Sequence, residues 1–264
     1  MTRPAYELFA IRYATRDARR YANFLGGDPH DAPMPMDYFV WVARSPERTI
    51  VIDTGFTAAT AARRKRDYLR TPVEGLAALG VEAAAIRDVV VTHLHYDHVG
   101  GYRDFPAATF HVQDAEMRFA TGRYMLHGRF NHGYDVEDVE GMIRLVFAGR
   151  VAFHRGEAEV APGITLHPVG GHTAGIQCVR VHTKRGWVVV ASDTTHYYEH
   201  VETGRTFGTV FDVAATVEGY DTLRALAASP AHIVPGHDPL VMQRYPAASE
   251  TLQGIAVRLD VDPR

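Results

Sequence analysis

Short apolar segments bounded by Gly, Pro and polar residues recur along the chain, a pattern typical of strands. Residues 38–43 and Thr49–Ile52 predict a hairpin across the turn-like residues 45–48. The three valines at 89–91 predict a short strand that is buried on both faces. A second hairpin is expected at residues 184–186. Further strands are expected at 109–112, Ile164–Pro168, 176–182, 187–191 and 231–234.

Helical patterns alternate with these strands. Residues 57–80 are rich in Ala, Arg and Leu, but Pro72 predicts a break into two helices, with Thr71 as the N-cap of the second. Further helices are expected near 114–121, 136–141 and 217–228. Because some neighbouring strands pair as hairpins while others are separated by helices, the sequence predicts an α/β protein with mixed sheets.

Composition narrows the class of protein. The 264 residues are 46% hydrophobic and 22% charged, which suits one folded domain over residues 1–264. The net charge of −3 gives no reason to expect nucleic acid or an anionic membrane as a partner. Residues 1–6 lack the apolar run of a signal peptide, no segment reaches the length of a membrane span, and Cys178 stands alone. We therefore expect a cytoplasmic protein.

Histidine is the first chemical signal, with 15 residues against a single cysteine. His93, His95, Asp97 and His98 follow the apolar strand at 89–91 almost directly. In an extended chain His93 and His95 point to the same side, and Asp97 and His98 lie past the strand end, where they can turn toward a second centre. The alternative is a cluster of surface histidines beside an acid. A cluster placed directly after a buried strand favours a metal site.

Three more ligand-type residues follow later strands: His172, Asp193 and His237 each stand next to Gly or another small residue. Each is weak evidence alone, because a single histidine after a strand is more often structural. Taken in order after the first cluster, they supply enough ligands for two metal ions. The chain has no Gly-x-Ser-x-Gly segment, so a serine nucleophile is not favoured.

The Asp53-Thr54-Gly55 turn, the His-x-His-x-Asp-His run at 93–98 and the three later residues together resemble the metallo-β-lactamase superfamily. The resemblance covers roughly residues 38–240 and implies a four-layer αββα sandwich with a dinuclear site at one edge. The ligands that it implies are His93, His95 and His172 for one metal, Asp97, His98 and His237 for the other, and Asp193 bridging both. Asp53 would support the site without binding metal. The nitrogen and oxygen donors favour zinc, two ions per chain, with manganese, iron or cobalt as alternatives.

Within the superfamily, the stretches 36–41 and 193–197 look most like N-acyl homoserine lactonases. This implies a metal-dependent hydrolase in which a hydroxide bridging two zinc ions opens a lactone ring, and in which Asp97 donates a proton to the leaving alkoxide. In the lactonases a tyrosine three residues after the bridging aspartate holds the carbonyl oxygen. Here His196 stands at that position and Tyr197 follows it. We expect His196 or Tyr197 to be catalytic, the alternative being an ordinary loop side chain for each.

Other functions stay open. A thioester hydrolase of the hydroxyacylglutathione hydrolase type is the main alternative, followed by a tRNA 3′-processing nuclease and a non-enzymatic binding protein; a homodimer is also open. Residues 14–37 are polar and contain Gly and Pro, and we interpret them as a substrate lid whose apolar side chains suit an acyl tail. The basic residues 63–66 are interpreted as a solvated helix face, with contact to a phosphate or carboxylate as the alternative.

Overall fold

The computed structural model describes residues 3–264, so Met1 and Thr2 of the N-terminal segment considered above lie outside the described residues. Within this part of the chain the strands are β1 (Glu7–Arg16), β2 (Met36–Arg44), β3 (Thr49–Ile52), β4 (Asp67–Tyr68), β5 (Asp88–Val90), β6 (Thr109–Gln113), β7 (Val151–His154), β8 (Ala158–Ala161), β9 (Ile164–Pro168), β10 (Gln177–Thr183), β11 (Gly186–Ser192), β12 (Ile233–Pro235) and β13 (Ala256–Arg258). The helices are α1 (Arg20–Asn23), α2 (Ala58–Arg64), α3 (Pro72–Ala78), α4 (Tyr96–Val99), α5 (Asp114–Ala120), α6 (Gly128–Asn131), α7 (Val136–Phe147), α8 (Tyr198–Thr203), α9 (Val213–Leu226) and α10 (Leu240–Arg244). None of these helices is long and apolar enough to span a membrane.

The strands form two mixed sheets. The larger has the order β13-β1-β2-β3-β5-β6-β7, with β4 paired to β1 outside this path. Its strands β3, β5, β6 and β7 run parallel to one another, and the others pair antiparallel. The smaller sheet has the order β12-β11-β10-β9-β8, in which β11 and β12 are parallel and the remaining neighbours antiparallel. Both parallel segments place their strand ends, and the loops that follow, at a common edge.

The two sheets pack face to face, and helices cover both outer surfaces. The central core joins side chains from the two sheets, among them Leu8, Trp41, Ile52, Leu166 and Val190. Outside the larger sheet, Ile11 and Val89 belong to a second cluster that includes Leu76 of α3 and Met142 of α7. Outside the smaller sheet, Val189 packs with Tyr220 and Leu223 of α9. Each sheet therefore buries both faces, which confirms the predicted four-layer αββα sandwich.

Local signals in the sequence correspond to observed turns and caps. The β2–β3 hairpin pairs Arg44 with Thr49, and the β10–β11 hairpin pairs Thr183 with Gly186, as predicted. Pro72 opens α3, and the Thr71 side chain accepts a hydrogen bond from the Glu74 amide while the Glu74 carboxylate accepts one from the Thr71 amide. This reciprocal capping box explains why the helix begins there.

The largest correction concerns β1, a ten-residue strand that the sequence pattern did not reveal. Its residues alternate between two buried faces, with Leu8 in the central core and Phe9 in the outer one, so the alternation of apolar and polar side chains that marks a strand is absent. Residues 14–37 are consequently not one loop, because β1 runs to Arg16, α1 follows, and β2 begins at Met36. Helix α7 also extends to Phe147, beyond the expected 136–141.

Candidate metal centre

Seven ligand-type side chains meet at one edge of the sandwich. His93 and His95 lie between β5 and α4, Asp97 and His98 in α4, His172 after β9, Asp193 after β11 and His237 after β12. All seven are buried. Because β11 and β12 are parallel neighbours, the residues that follow them emerge at the same edge. The fold thus brings together side chains that are up to 144 positions apart in the sequence.

The first group of ligand atoms contains three histidine nitrogens and one carboxylate oxygen. His172 Nε2 lies 3.2 Å from His93 Nε2 and 2.9 Å from His95 Nδ1. Asp193 Oδ2 lies 3.4 Å from His172 Nε2 and 4.0 Å from His93 Nε2. The three histidines are close enough to one another to bind a single ion.

The second group shares Asp193 with the first. His98 Nε2 lies 3.3 Å from Asp193 Oδ1 and 3.8 Å from Asp97 Oδ2. His237 Nε2 lies 3.1 Å from the same Asp193 oxygen and 3.7 Å from Asp97 Oδ2. Asp193 therefore lies between the two groups, with Oδ2 near the first and Oδ1 near the second, and His237 Nε2 is also 3.2 Å from Oδ2.

Hydrogen bonding at the far side of each ring shows which nitrogens carry lone pairs. His172 Nδ1 donates to the Thr209 carbonyl at 2.6 Å, and His237 Nδ1 donates to the Asp37 carbonyl at 2.8 Å, so both present an unprotonated Nε2 to the site. In their neutral forms both rings therefore direct a lone pair into the site, where a cation could accept it. His98 Nε2 and Asp193 Oδ1 are buried without a hydrogen-bond partner in the described chain. The donor set fits two cations of the zinc type.

Burial and neighbouring charges shift the pKa values of the ligand-type residues in different directions. Burial, together with the neighbouring imidazoles, holds the pKa of His93 and of His95 well below the ordinary histidine value. Burial also disfavours a charged Asp193, but His237 and His98 outweigh it and hold the pKa of Asp193 well below its usual range. His93 and His95 are thus kept neutral beside an ionised carboxylate, as metal binding requires. At His98 and His237 burial is outweighed by the acidic neighbours, Asp193 first among them, which raise the pKa of both rings, so a bound cation would have to displace a proton there.

Asp53 lies behind His98 and belongs to neither group. Its Oδ1 accepts a hydrogen bond from the Thr92 amide at 2.7 Å, and its Oδ2 accepts from the Thr92 hydroxyl at 2.8 Å and from His98 Nδ1 at 2.7 Å. The carboxylate therefore holds the start of the histidine loop and orients one ring within it. Such a partner fixes the tautomer of a metal-binding histidine.

Sequence reasoning missed Glu116, a buried residue of α5 that connects two ligand-bearing loops. Its carboxylate accepts four hydrogen bonds, from the Leu94 amide at 3.0 Å, the Tyr134 hydroxyl at 2.9 Å, the Thr173 hydroxyl at 2.6 Å and the Gly175 amide at 3.2 Å. Leu94 lies beside His93 and His95, and Thr173 follows His172. No local sequence signal marks this role, because its partners come from three separate segments of the chain.

The structure separates the two candidates for the carbonyl-binding residue. His196 lines the site, with Nε2 3.0 Å from Asp193 Oδ2 and its ring stacked on Phe207 at a centroid distance of 3.6 Å. Tyr197 is buried on the other side, where its hydroxyl donates to the Met34 carbonyl at 3.3 Å. The backbone at Tyr197 is extended, so neighbouring side chains point in opposite directions. In this structure His196 lines the cavity and Tyr197 does not.

A cavity of about 120 Å³ lies over both groups. Besides ligand residues, its lining includes Arg16, Tyr38, Arg64, Arg66 and Tyr96. The interpretation of residues 63–66 as a solvated face is thus wrong for Arg64 and Arg66. Helix α2 ends at Arg64, and the capping residue Lys65 has a left-handed backbone conformation. This conformation turns the following Arg66 back toward the cavity.

The arm between β1 and β2 is fixed to α8 and contributes little to this cavity. Arg20 pairs with Glu199 of α8 and, at 3.0 Å, with Asp28 of the arm, and Arg205 pairs with Asp28 at 2.6 Å. Of the apolar side chains expected to meet an acyl tail, Met36 lines the site, whereas Pro33 and Met34 line a separate cavity beside Tyr197. The described arm is held by ion pairs, and its apolar side chains do not form a lid over the metal groups.

Comparison with known proteins places this geometry in a family. Residues 34–242 match the sequence profile of the metallo-beta-lactamase superfamily. The N-acyl homoserine lactonase AttM of Rhizobium johnstonii is 28% identical over 199 residues, 67% of this chain and 68% of that protein. A probable metallo-hydrolase of Mycobacterium tuberculosis is 31% identical over 133 residues, 45% of this chain and 40% of that protein, so this chain matches less than half of the length of that relative. A solved quorum-quenching N-acyl homoserine lactone lactonase superposes with a TM-score of 0.76 at 21% identity, over 90% of this chain and 95% of that one. The chain belongs to the metallo-beta-lactamase superfamily.

Proposed function

We propose that this chain is a hydrolase that binds two zinc ions and opens a lactone ring. The observation that carries the proposal is the pair of ligand groups that share Asp193, because His98 Nε2 lies 3.3 Å from its Oδ1 and His172 Nε2 lies 3.4 Å from its Oδ2. Relatives named as lactonases support a lactone as substrate. His93, His95 and His172 would hold one ion, Asp97, His98 and His237 the other, and Asp193 would bridge them.

When bound, the two ions would supply a Lewis acid for the substrate carbonyl and lower the pKa of water toward neutrality. The chain's own residues position the groups around them. Glu116 and Asp53 hold the ligand loops in place, as described above. The Tyr13 hydroxyl donates a hydrogen bond to the Asp97 backbone carbonyl at 3.0 Å and thereby fixes the backbone of Asp97. This anchoring keeps the site arranged before substrate binds, which reduces the ordering cost of the transition state.

Asp97 and His196 take the two remaining tasks in the proposal. The Asp97 carboxylate lines the cavity, where it would accept the proton that the attacking water loses and then pass it to the leaving alkoxide. His196 Nε2 lies at the cavity wall, 3.0 Å from Asp193 Oδ2, and in the proposal its N–H turns from that oxygen to the substrate carbonyl oxygen. Asp97→Asn should lower kcat strongly while the protein keeps its fold. A variant that retains both zinc ions and near-normal turnover would remove Asp97 from proton transfer.

Substrate preference tests the proposal against its runner-up. We expect an N-acyl homoserine lactone or a simpler γ-lactone to be hydrolysed with a higher kcat/KM than a glutathione thioester by the same preparation. A ring ester presents its carbonyl and leaving oxygens at a fixed separation, so two metal groups can engage both with little ordering cost. A preference of tenfold or more for the thioester would contradict the lactonase proposal and support a thioester hydrolase.

A further inference from the structure

The cavity over the metal groups carries an excess of positive charge. Its carboxylates, Asp97 and Asp193, belong to the metal groups, whereas Arg16, Arg64 and Arg66 lie outside them. Ligand pockets are typically about 300–1,000 Å³ and mostly apolar, so a space of about 120 Å³ with this lining suits a small polar molecule. It offers little room for a long acyl chain.

Arg16, at the end of β1, lacks an anionic partner. Its Nε and Nη2 lie 3.2 Å and 2.7 Å from the Met36 sulfur, and a thioether is only a weak acceptor. No carboxylate of residues 3–264 forms an ion pair with it. A guanidinium that is partly removed from water without an anion is unfavourable, unless a ligand supplies the negative charge.

Arg66 is oriented by neutral groups alone. Its Nε donates to the Tyr96 hydroxyl at 3.1 Å and its Nη1 to the Arg64 carbonyl at 2.6 Å, and it too makes no ion pair with a carboxylate in the described chain. Arg64 differs, because Asp135 pairs with it at 2.6 Å and its guanidinium lies over the Tyr96 ring at 3.9 Å. The uncompensated charge therefore belongs to Arg16 and Arg66, while Arg64 supports the wall.

Both guanidinium groups line the same cavity, and Tyr38 lines it with them. Arg66 also lies 5.9 Å from the Tyr38 ring centroid. Tyr38 in turn packs edge-on against His237, at a centroid distance of 5.1 Å. The two cations thus share a cavity with a tyrosine that borders the second metal group.

We propose that the substrate is a small lactone that carries a free carboxylate, which Arg16 and Arg66 bind beside the metal groups. This inference rests on the proposed lactone hydrolysis and gives its substrate class. A guanidinium fork matches the planar carboxylate and binds it with charge-assisted hydrogen bonds. A neutral acyl lactone would instead leave Arg16 without an anionic partner.

The test compares a γ-lactone 2-carboxylate with its carboxamide, which has nearly the same shape but no charge. Wild-type protein loaded with zinc should hydrolyse the acid with at least tenfold higher kcat/KM. Arg16→Gln should abolish most of this preference through KM, and Arg16→Lys, which keeps the charge without the fork, should retain part of it. Arg103→Gln is the matched control. It removes the same charge as Arg16→Gln, but Arg103 is exposed and does not line the cavity.

A binding measurement separates this inference from the proposed reaction. By calorimetry, the ring-opened dicarboxylate product should bind the zinc-loaded protein at least tenfold more tightly than 4-hydroxybutyrate, which lacks the second carboxylate. Arg16→Gln should remove that difference while circular dichroism and zinc content stay unchanged. Hydrolysis of acid and amide at equal rates, or an acid preference that survives Arg16→Gln, would overturn the inference and leave lactone hydrolysis standing. Absence of hydrolysis of any lactone would overturn the proposed function, and carboxylate binding would still report on Arg16.

Discussion

His98 Nδ1 donates a hydrogen bond to the Asp53 carboxylate at 2.7 Å, although the two residues are 45 positions apart. In the neutral ring this contact leaves the other nitrogen, Nε2, unprotonated and directed at Asp193. Asp53 has a φ of 60°, a conformation that non-glycine residues adopt rarely, and the three hydrogen bonds to its carboxylate account for its persistence. One buried carboxylate thereby determines how the second metal group is assembled.

Replacement of Asp53 by asparagine should weaken zinc binding at that group about 10- to 100-fold, because the amide removes the charge that orients His98. A competition titration against a chromogenic chelator measures the loss. Asp88→Asn is the control: Asp88 also pairs with a histidine, His111 Nε2 at 3.0 Å, but neither residue lines the cavity. Wild-type affinity for both zinc ions in Asp53→Asn would show that the carboxylate does not position His98.

Glu116 accepts four hydrogen bonds, and glutamine cannot accept all four. In Glu116→Gln the side-chain NH2 group would replace one carboxylate oxygen and would face hydrogen-bond donors. We therefore expect a loss of about 1–3 kcal/mol in the free energy of unfolding for each donor left without an acceptor. Urea unfolding of the zinc-loaded protein measures this loss, with the exposed Glu218→Gln as control. Stability equal to that of the control would mean that the ligand loops hold together without Glu116.

Asp138 in α7 makes the stability of the folded chain depend on pH. Burial, reinforced by the charge of Asp135, raises the pKa of Asp138 from 3.8 to about 6. A carboxyl with a higher pKa in the folded chain binds its proton more tightly there than in the unfolded chain. The free energy of unfolding therefore falls as the pH rises from about 4 to about 6, and it stays lower above that range.

Asp138→Asn should therefore increase the free energy of unfolding at pH 8 by about 1–3 kcal/mol, with most of the gain absent at pH 4. Urea unfolding at both pH values tests this. Glu137→Gln is the matched control, since Glu137 is an exposed acid in the same first helical turn. An equal gain at both pH values would show that ionisation of Asp138 does not cause the effect.

His196 and Tyr197 offer a comparison of neighbouring residues. If His196 stabilises the developing charge on the carbonyl oxygen, His196→Ala should lower kcat about 100- to 1,000-fold, whereas Tyr197→Phe should lose little. Since His196 also lies within ligand distance of His172 and Asp193, zinc content is measured for each variant. A larger loss in Tyr197→Phe, with zinc unchanged, would mean that this loop rearranges when substrate binds.

The sequence predicts well those features that depend on local signals. The Thr71 cap, both hairpins and the clustering of ligand-type residues after strands each rest on residue type and spacing within a few positions. The resemblance to a known family supplied the four-layer arrangement. Strand β1 was missed because it is buried on both faces, so its side chains lack the polar alternation on which strand prediction relies.

The walls of the cavity could not be predicted for a different reason. Arg16 and Arg66 reach the cavity from the end of a strand and from a left-handed helix terminus, and their separation in the sequence carries no signal of proximity. A basic run on a helix is usually solvated, and only the tertiary structure shows that two of its members face the metal groups. Glu116 is similar, since its role depends on loops that only the folded chain brings together.

The metal content of the active protein tests the central claim most directly. Elemental analysis of protein purified without chelator, combined with lactone hydrolysis by the same sample, should give two zinc ions per chain. Activity should disappear on chelation and return when zinc is added. One metal ion or fewer per chain with full activity, or turnover that is unaffected by a chelator, would contradict the assignment of two ligand groups joined by Asp193.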